Sequence, residues 1–214
     1  MALCPPSKAT FEGVSEGTHV AVCVKVIDIG LQDSPYGTKQ QVLIEFEVPG
    51  ERVEYTDESG TTKEGPKTIG KFYNFTLVDG SNLRKDMESW RGKAFKDDEL
   101  MNDAGDPIWD VGKVLRAPCQ LGIIKNEKGK SLINGIMGLP KGFPAPAIEG
   151  EAFVYDAEHP ENLTKLSDGL QKIIAKQITP IKGDSKDFAN QSLPLQTVAP
   201  PPGVGDDFDD DIPF

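Results

Sequence analysis

Cysteine is scarce and poorly placed for chemistry. Cys4, Cys23 and Cys119 make an odd, widely spaced set without a CxxC pair, so no disulfide framework is expected. His19 and His159 do not cluster with them, and neither a metal site nor any cofactor is implied. Idle or buried thiols suit a reducing compartment. No run of 18 apolar residues occurs, and Met1-Ala2-Leu3-Cys4-Pro5-Pro6 has no apolar signal core, so neither secretion nor a membrane span is expected. Also missing are Ser/His/Asp and Cys/His arrangements and a phosphate-binding glycine loop. Asp103, Asp106 and Asp110 can be drawn together as a two-metal nuclease cluster, and Asp206–Asp211 as metal ligands. Such ligands need fixed geometry, which an acidic terminal run does not offer, so an enzyme is not expected.

Positive charge is short as well. The net charge is −11, of which the last nine residues supply −5, leaving −6 for residues 1–205. Nucleic-acid binding must therefore arise from local clusters, because the overall sign opposes it. Aromatic residues are 7% and hydrophobic residues 37%, with 22 glycines and 17 prolines, so much of the chain should be loop or linker. The 214 residues leave room for one sizeable domain with appendages.

What is present begins with strand patterns. Thr18–Ile29 alternates, with Val20, Val22, Val24 and Val26 on one face and Ala21, Cys23 and Ile27 on the other, as in a strand buried partly on both sides. A loop at Asp33-Ser34-Pro35-Tyr36-Gly37 leads to a second strand, Lys39–Val48, with Val42, Ile44, Phe46 and Val48 inward and Glu45 and Glu47 outward. Pro49-Gly50 should end it. Glu51–Pro66 reads as an insertion or a long hairpin. The third strand, Lys67–Val78, sets Tyr73, Phe75 and Leu77 against Phe72, Asn74 and Thr76.

Ser81 or Asn82 can cap a helix over Asn82–Arg91, where Leu83, Met87 and Trp90 share one face and Gly92 stops it. A short helix is possible near Asp97–Asn102. Cys119–Lys125 and Ser131–Leu139 then form a hairpin around Asn126-Glu127-Lys128-Gly129. The fold class is mainly β. The order β-β-β-α-β-β is that of a five-stranded Greek-key barrel of OB type. The alternative is an open antiparallel sheet carrying one helix, and closure is favoured because it would cover both faces of the first strand.

Three regions follow: an OB-type domain over 1–140, a connector and amphipathic helix over 141–182, and a linker with acidic tip over 183–214. The helix spans Leu163–Ile178, with Leu166, Leu170, Ile173 and Ile174 able to pack back on the barrel. Ala199-Pro200-Pro201-Pro202-Gly203 reads as a semi-rigid spacer.

Charge is uneven along the chain. Residues 113–141 hold Lys113, Arg116, Lys125, Lys128, Lys130 and Lys141 against Glu127 alone, a balance of +5. Lys125, Lys128 and Lys130 sit at the last hairpin, one of the loops with which OB barrels hold oligonucleotides. Lysines guarding a strand edge are the plainer reading. Phe72 is the first choice for stacking on a base, since it lies on the otherwise polar face of its strand. Tyr36 beside Lys39 is the second, and Lys71 and Asn74 flank Phe72. Trp90, Tyr73 and Phe75 are assigned to the core by periodicity.

The final stretch is Asp206-Asp207-Phe208-Asp209-Asp210-Asp211-Ile212-Pro213-Phe214. It cannot bury enough apolar surface to offset the entropy of ordering, so alone it should be disordered. As a ligand it offers an aromatic anchor and an α-carboxylate at Phe214, with aspartates to steer it toward a basic rim. This tip resembles the C-terminal peptide of bacterial single-stranded-DNA-binding proteins. The segment Ser81-Asn82-Leu83-Arg84-Lys85-Asp86-Met87-Glu88-Ser89-Trp90-Arg91-Gly92 and the turn Leu139-Pro140-Lys141-Gly142 resemble bacteriophage-encoded OB-fold single-stranded-DNA-binding proteins, diffusely over roughly residues 14–180.

The resemblance implies a sequence-independent coat for single strands in phage replication or recombination, within the cytoplasm of the bacterial host. Duplex binding and self-association are open. The tip would recruit host or phage replication and repair proteins. The rival expectation is an acidic adaptor or DNA mimic that does not bind DNA.

Overall fold

The computed structural model describes residues 12–33, 37–56, 60–101, 105 and 108–178. The protein is mainly β, with few helices. In chain order come β1 (Gly17–Gln32), β2 (Lys39–Thr56), β3 (Thr62–Asn74), α1 (Asn82–Arg91), α2 (Asp97–Leu100), β4 (Pro118–Lys125), β5 (Ser131–Gly138), β6 (Phe153–Tyr155) and α3 (Asp168–Ala175). Two 3-10 turns, Val111–Val114 and Pro160–Lys165, join them. The strands form one open sheet in the order β3-β2-β1-β4-β5, with antiparallel pairing along that path. β6 lies parallel to β1 over Lys25–Ile27, on the edge that β4 leaves after Val22. No ladder joins β3 to β5 among the described residues, so hydrogen bonding is that of the open alternative.

β1 departs from simple alternation. A register shift between Cys23 and Lys25 changes the phase of the strand, as one extra residue must when the side-chain period is two. Ala21, Cys23 and Val26 therefore share the main core, while Ile27 and Ile29 face the other way. The expected valine face is thus split at the bulge. A second shift near Gly30 (φ +79°) turns the strand end against α3. A Cβ at Gly30 would lie 3.2 Å from that of Gln177, where the backbone already disfavours any side chain.

The main core gathers β1, β2, β4, β5, Tyr73 and the buried face of α1, which is Leu83, Met87 and Trp90. Ser81 caps the helix by accepting from the Arg84 N–H, and Gly92 closes it in the left-handed conformation. The indole N–H of Trp90 donates to the Pro118 carbonyl at 2.9 Å, and its ring tilts against Phe46. Gly138 lets the end of α1 approach β5, since a Cβ there would stand 2.8 Å from the Trp90 carbonyl oxygen.

A second core lies on the opposite face of β1, β2 and β3. Ile27, Ile29, Leu43 and Phe72 are covered there by Phe153, Leu166 and Ile174. Residues 153–178 thus form a lid over this outer face. The expected helix Leu163–Ile178 is broken, because Ser167 caps a new start at Asp168 after the 3-10 turn. β6 was not expected, being only three residues long and fixed by tertiary contact.

Other expectations are corrected. Pro49-Gly50 does not end β2, which shifts register between Val48 and Arg52 and continues as a long hairpin with β3. β3 stops at Asn74 instead of Val78, and Phe75 is 37% exposed, outside the core assigned to it. Glu47 faces away from the main core but is buried, its carboxylate accepting the Glu149 and Gly150 N–H groups, each at 2.8 Å.

Candidate nucleic-acid interface

The hairpin between β4 and β5 is stiff at its tip. The Asn126 side chain accepts from the Lys128 and Lys130 backbone N–H groups at 3.1 and 2.8 Å, and the Asn126 N–H donates to the Lys130 carbonyl. Gly129, at φ +78°, supplies the left-handed position that closes the turn. Lys125 and Lys128 stand exposed on this frame, and Lys130 is half-buried.

At the seam where β3 and β5 do not pair, α1 bridges the gap. Lys71 Nζ contacts Asp86 Oδ2 at 2.8 Å and sits 5.3 Å from the centre of the Tyr73 ring. The Tyr73 hydroxyl donates to the same oxygen, at 2.8 Å. Burial first, and then the Asp86 charge, holds that phenol well above its ordinary pKa. Beside this trio is a groove of about 400 Å³ lined by Lys71, Asn82, Lys85, Asp86, Ile124, Leu132, Ile133 and Asn134. Lys71 is thereby brought next to the base of the lysine hairpin.

The other expected residues fall elsewhere. Lys39 pairs with Gln32 at the far end of β1, whereas Ile123 pairs with Gly17; the intervening strand has about 50 Å of extended contour. Asn74 lies at the end of β3, opposite Gln41. Phe72 is half-buried in the second core, so the aromatic chosen for base stacking has a packing role under the lid. Tyr36 and the tip Asp206–Phe214 lie outside the described residues, as do Asp103 and Asp106. Asp110 has a local duty, accepting the Gly112 N–H at 2.7 Å as the cap of a 3-10 turn.

Asn82, Lys85, Ile124, Leu132 and Asn134 were missed. Nothing in the sequence pairs α1 with β5, because that contact depends on Gly138 and on a seam left without a ladder. Lys85 reads as one more solvated charge on a helix, and Ile124 as an ordinary strand residue.

A smaller hollow of about 240 Å³ lies on the lidded face, among Lys25, Glu45, Glu47, Glu151, Phe153 and Lys165. Its cations are matched internally, Lys25 to Glu45 at 2.6 Å and Lys165 to Glu151. Of the thiols, Cys23 and Cys119 are buried, and burial pushes Cys119 up to about 12. Neither is a nucleophile at neutral pH. Among the described residues no helix is long and apolar enough to cross a membrane. No protein-family model matches this chain, and a search of curated proteins finds no significant match.

Proposed function

We propose that this chain is a sequence-independent single-stranded-DNA-binding protein of a phage replication or recombination system, acting in the cytoplasm of a bacterial host. The observation that carries the reading is the pinned β4–β5 turn, which holds Lys125 and Lys128 exposed beside the seam groove. Cations on a stiff support can neutralise phosphates whatever the net charge of the chain, because counterion release depends on local contacts. The strand order β3-β2-β1-β4-β5, with α1 placed between β3 and β4, is also that of an OB-type barrel left partly open. Ile212-Pro213-Phe214 and the aspartates before it serve as a hook for host or phage replication and repair proteins, with Phe214 as anchor.

One finding favours a second reading. Residues 153–178 cover the outer face of β2 and β3, the face by which OB barrels bind oligonucleotides. An acidic adaptor, or a DNA mimic, would have no need of that face. Oligo-dT binding separates the two. The single-strand reading expects a gel shift with single-stranded oligonucleotides, weaker with duplex. Three or four phosphate contacts give a log-log salt slope of about −2 to −3. Absence of any shift at low salt would leave the adaptor reading.

A further inference from the structure

We propose that the groove between β3 and β5 holds one unstacked nucleotide of the bound strand, with its base against Ile124 and Leu132 and a phosphate on Lys85. This rests on the single-strand reading above and assigns the site for it. The usual route along β2 and β3 is obstructed here, with Leu43 and Phe72 packed in the second core and Glu47 held by the Glu149 and Gly150 N–H groups. The groove beside the hairpin offers a strand held by Lys125 and Lys128 an unobstructed path. The groove borders the same hairpin, which contributes Ile124, Leu132 and Asn134 to its wall.

The chemistry of the wall suits a nucleotide. At about 400 Å³ the groove is within the range of small-ligand sites. Ile124 is 41% exposed and sits on the outer side of the sheet, opposite in phase to buried Ile123. It offers apolar surface for the face of a base, a contact that any base can make. Asn82 and Asn134 carry amides that both donate and accept, so base edges of either pattern find a partner. A site of this kind holds a base without selecting which one.

The charges divide in the same way. Asp86 is compensated by Lys71 and by the Tyr73 hydroxyl, so it presents little repulsion to a phosphate. Lys85, exposed on the first half of α1, has no carboxylate partner among the described residues. It is the cation left available at the groove.

The test uses the full chain, oligo-dT, and an oligomer of equal length with abasic sites throughout. Ile124→Ser combined with Asn134→Ala should weaken oligo-dT binding about tenfold, while binding of the abasic oligomer stays within about twofold. Lys85→Gln should make the salt slope shallower by about 0.7. Lys125→Gln with Lys128→Gln should weaken both oligomers alike. Photocross-linking through 4-thiothymidine should mark peptides from residues 118–138. If the groove variants bind oligo-dT as the parent does, or the cross-links fall within 153–178, the groove assignment is wrong and the single-strand reading stands. If the parent chain binds neither oligomer, both are wrong.

Discussion

Glu47 and Glu99 are carboxylates with different tasks, each set by its neighbours. Glu47 accepts two backbone N–H groups from the segment that crosses it, so its carboxylate ties residues 149–150 to β2. Glu99 gathers Lys93, Arg91 and the Lys96 N–H around one carboxylate, pinning the link between α1 and α2. Those partners, Lys93 first, lower its pKa from 4.5 to about 2. A depressed carboxylate contributes stability above its unfolded pKa and loses it as pH falls through the folded one. The contribution of Glu99 is therefore present above 4.5 and gone near 2. Glu99→Gln should lower the urea midpoint at about pH 7, modestly because the carboxylate is only half-buried and solvent screens it. The gap from the parent should close as pH drops through that window. A constant gap at all pH values would mean that Glu99 acts through packing and not through charge.

Among the elements, α3 and β6 decide how the strands can be used. Alternation alone correctly set Tyr73 inward and Phe72 outward, and periodicity correctly assigned Trp90 to the core. It could not show that the outward face is covered, because the lid comes from residues 153–178, some eighty positions later. Phe72 looked available only for want of a visible partner. It pairs with Leu43 across the ladder and packs against the cluster that includes Ile27, Phe153 and Ile174. Phe72→Ala should therefore cost about 2 kcal/mol of stability, less than for a wholly buried ring, and leave oligo-dT affinity within about twofold. Denaturant unfolding and a fluorescence titration measure the two effects. Lost affinity with unchanged stability would restore Phe72 as a stacking platform. The same limit explains the misjudged end of β2: Pro49-Gly50 is a good stop signal locally, but a bulge carries the strand past it, held by pairing with β3.

At the scale of the whole molecule, the distribution of charge matters more than its sum. The order of the first five strands and the position of α1 were legible, because strand alternation, the Ser81 cap and Gly92 are local signals. The seam groove was not, since it exists only where two distant edges fail to pair. Net charge of −11 opposes DNA binding, and −6 remains once the −5 share of the last nine residues is set apart, so local clusters must carry it. The carboxylates of those nine residues are tethered to the chain that carries Lys125, Lys128 and Lys85, and on the proposed reading they would compete with phosphates for the same cations. Removing residues 206–214 should tighten oligo-dT binding by about fivefold at low ionic strength, with the gain fading as salt screens both partners. The same truncation should abolish capture of replication and repair proteins from a host lysate, and Phe214→Ala alone should weaken that capture while barely changing DNA affinity. The separation is the deciding feature, because on the proposed reading competition would depend on the summed charge and capture chiefly on the aromatic anchor. A truncated chain that binds DNA and captures partners as the full chain does would remove the tip from both roles.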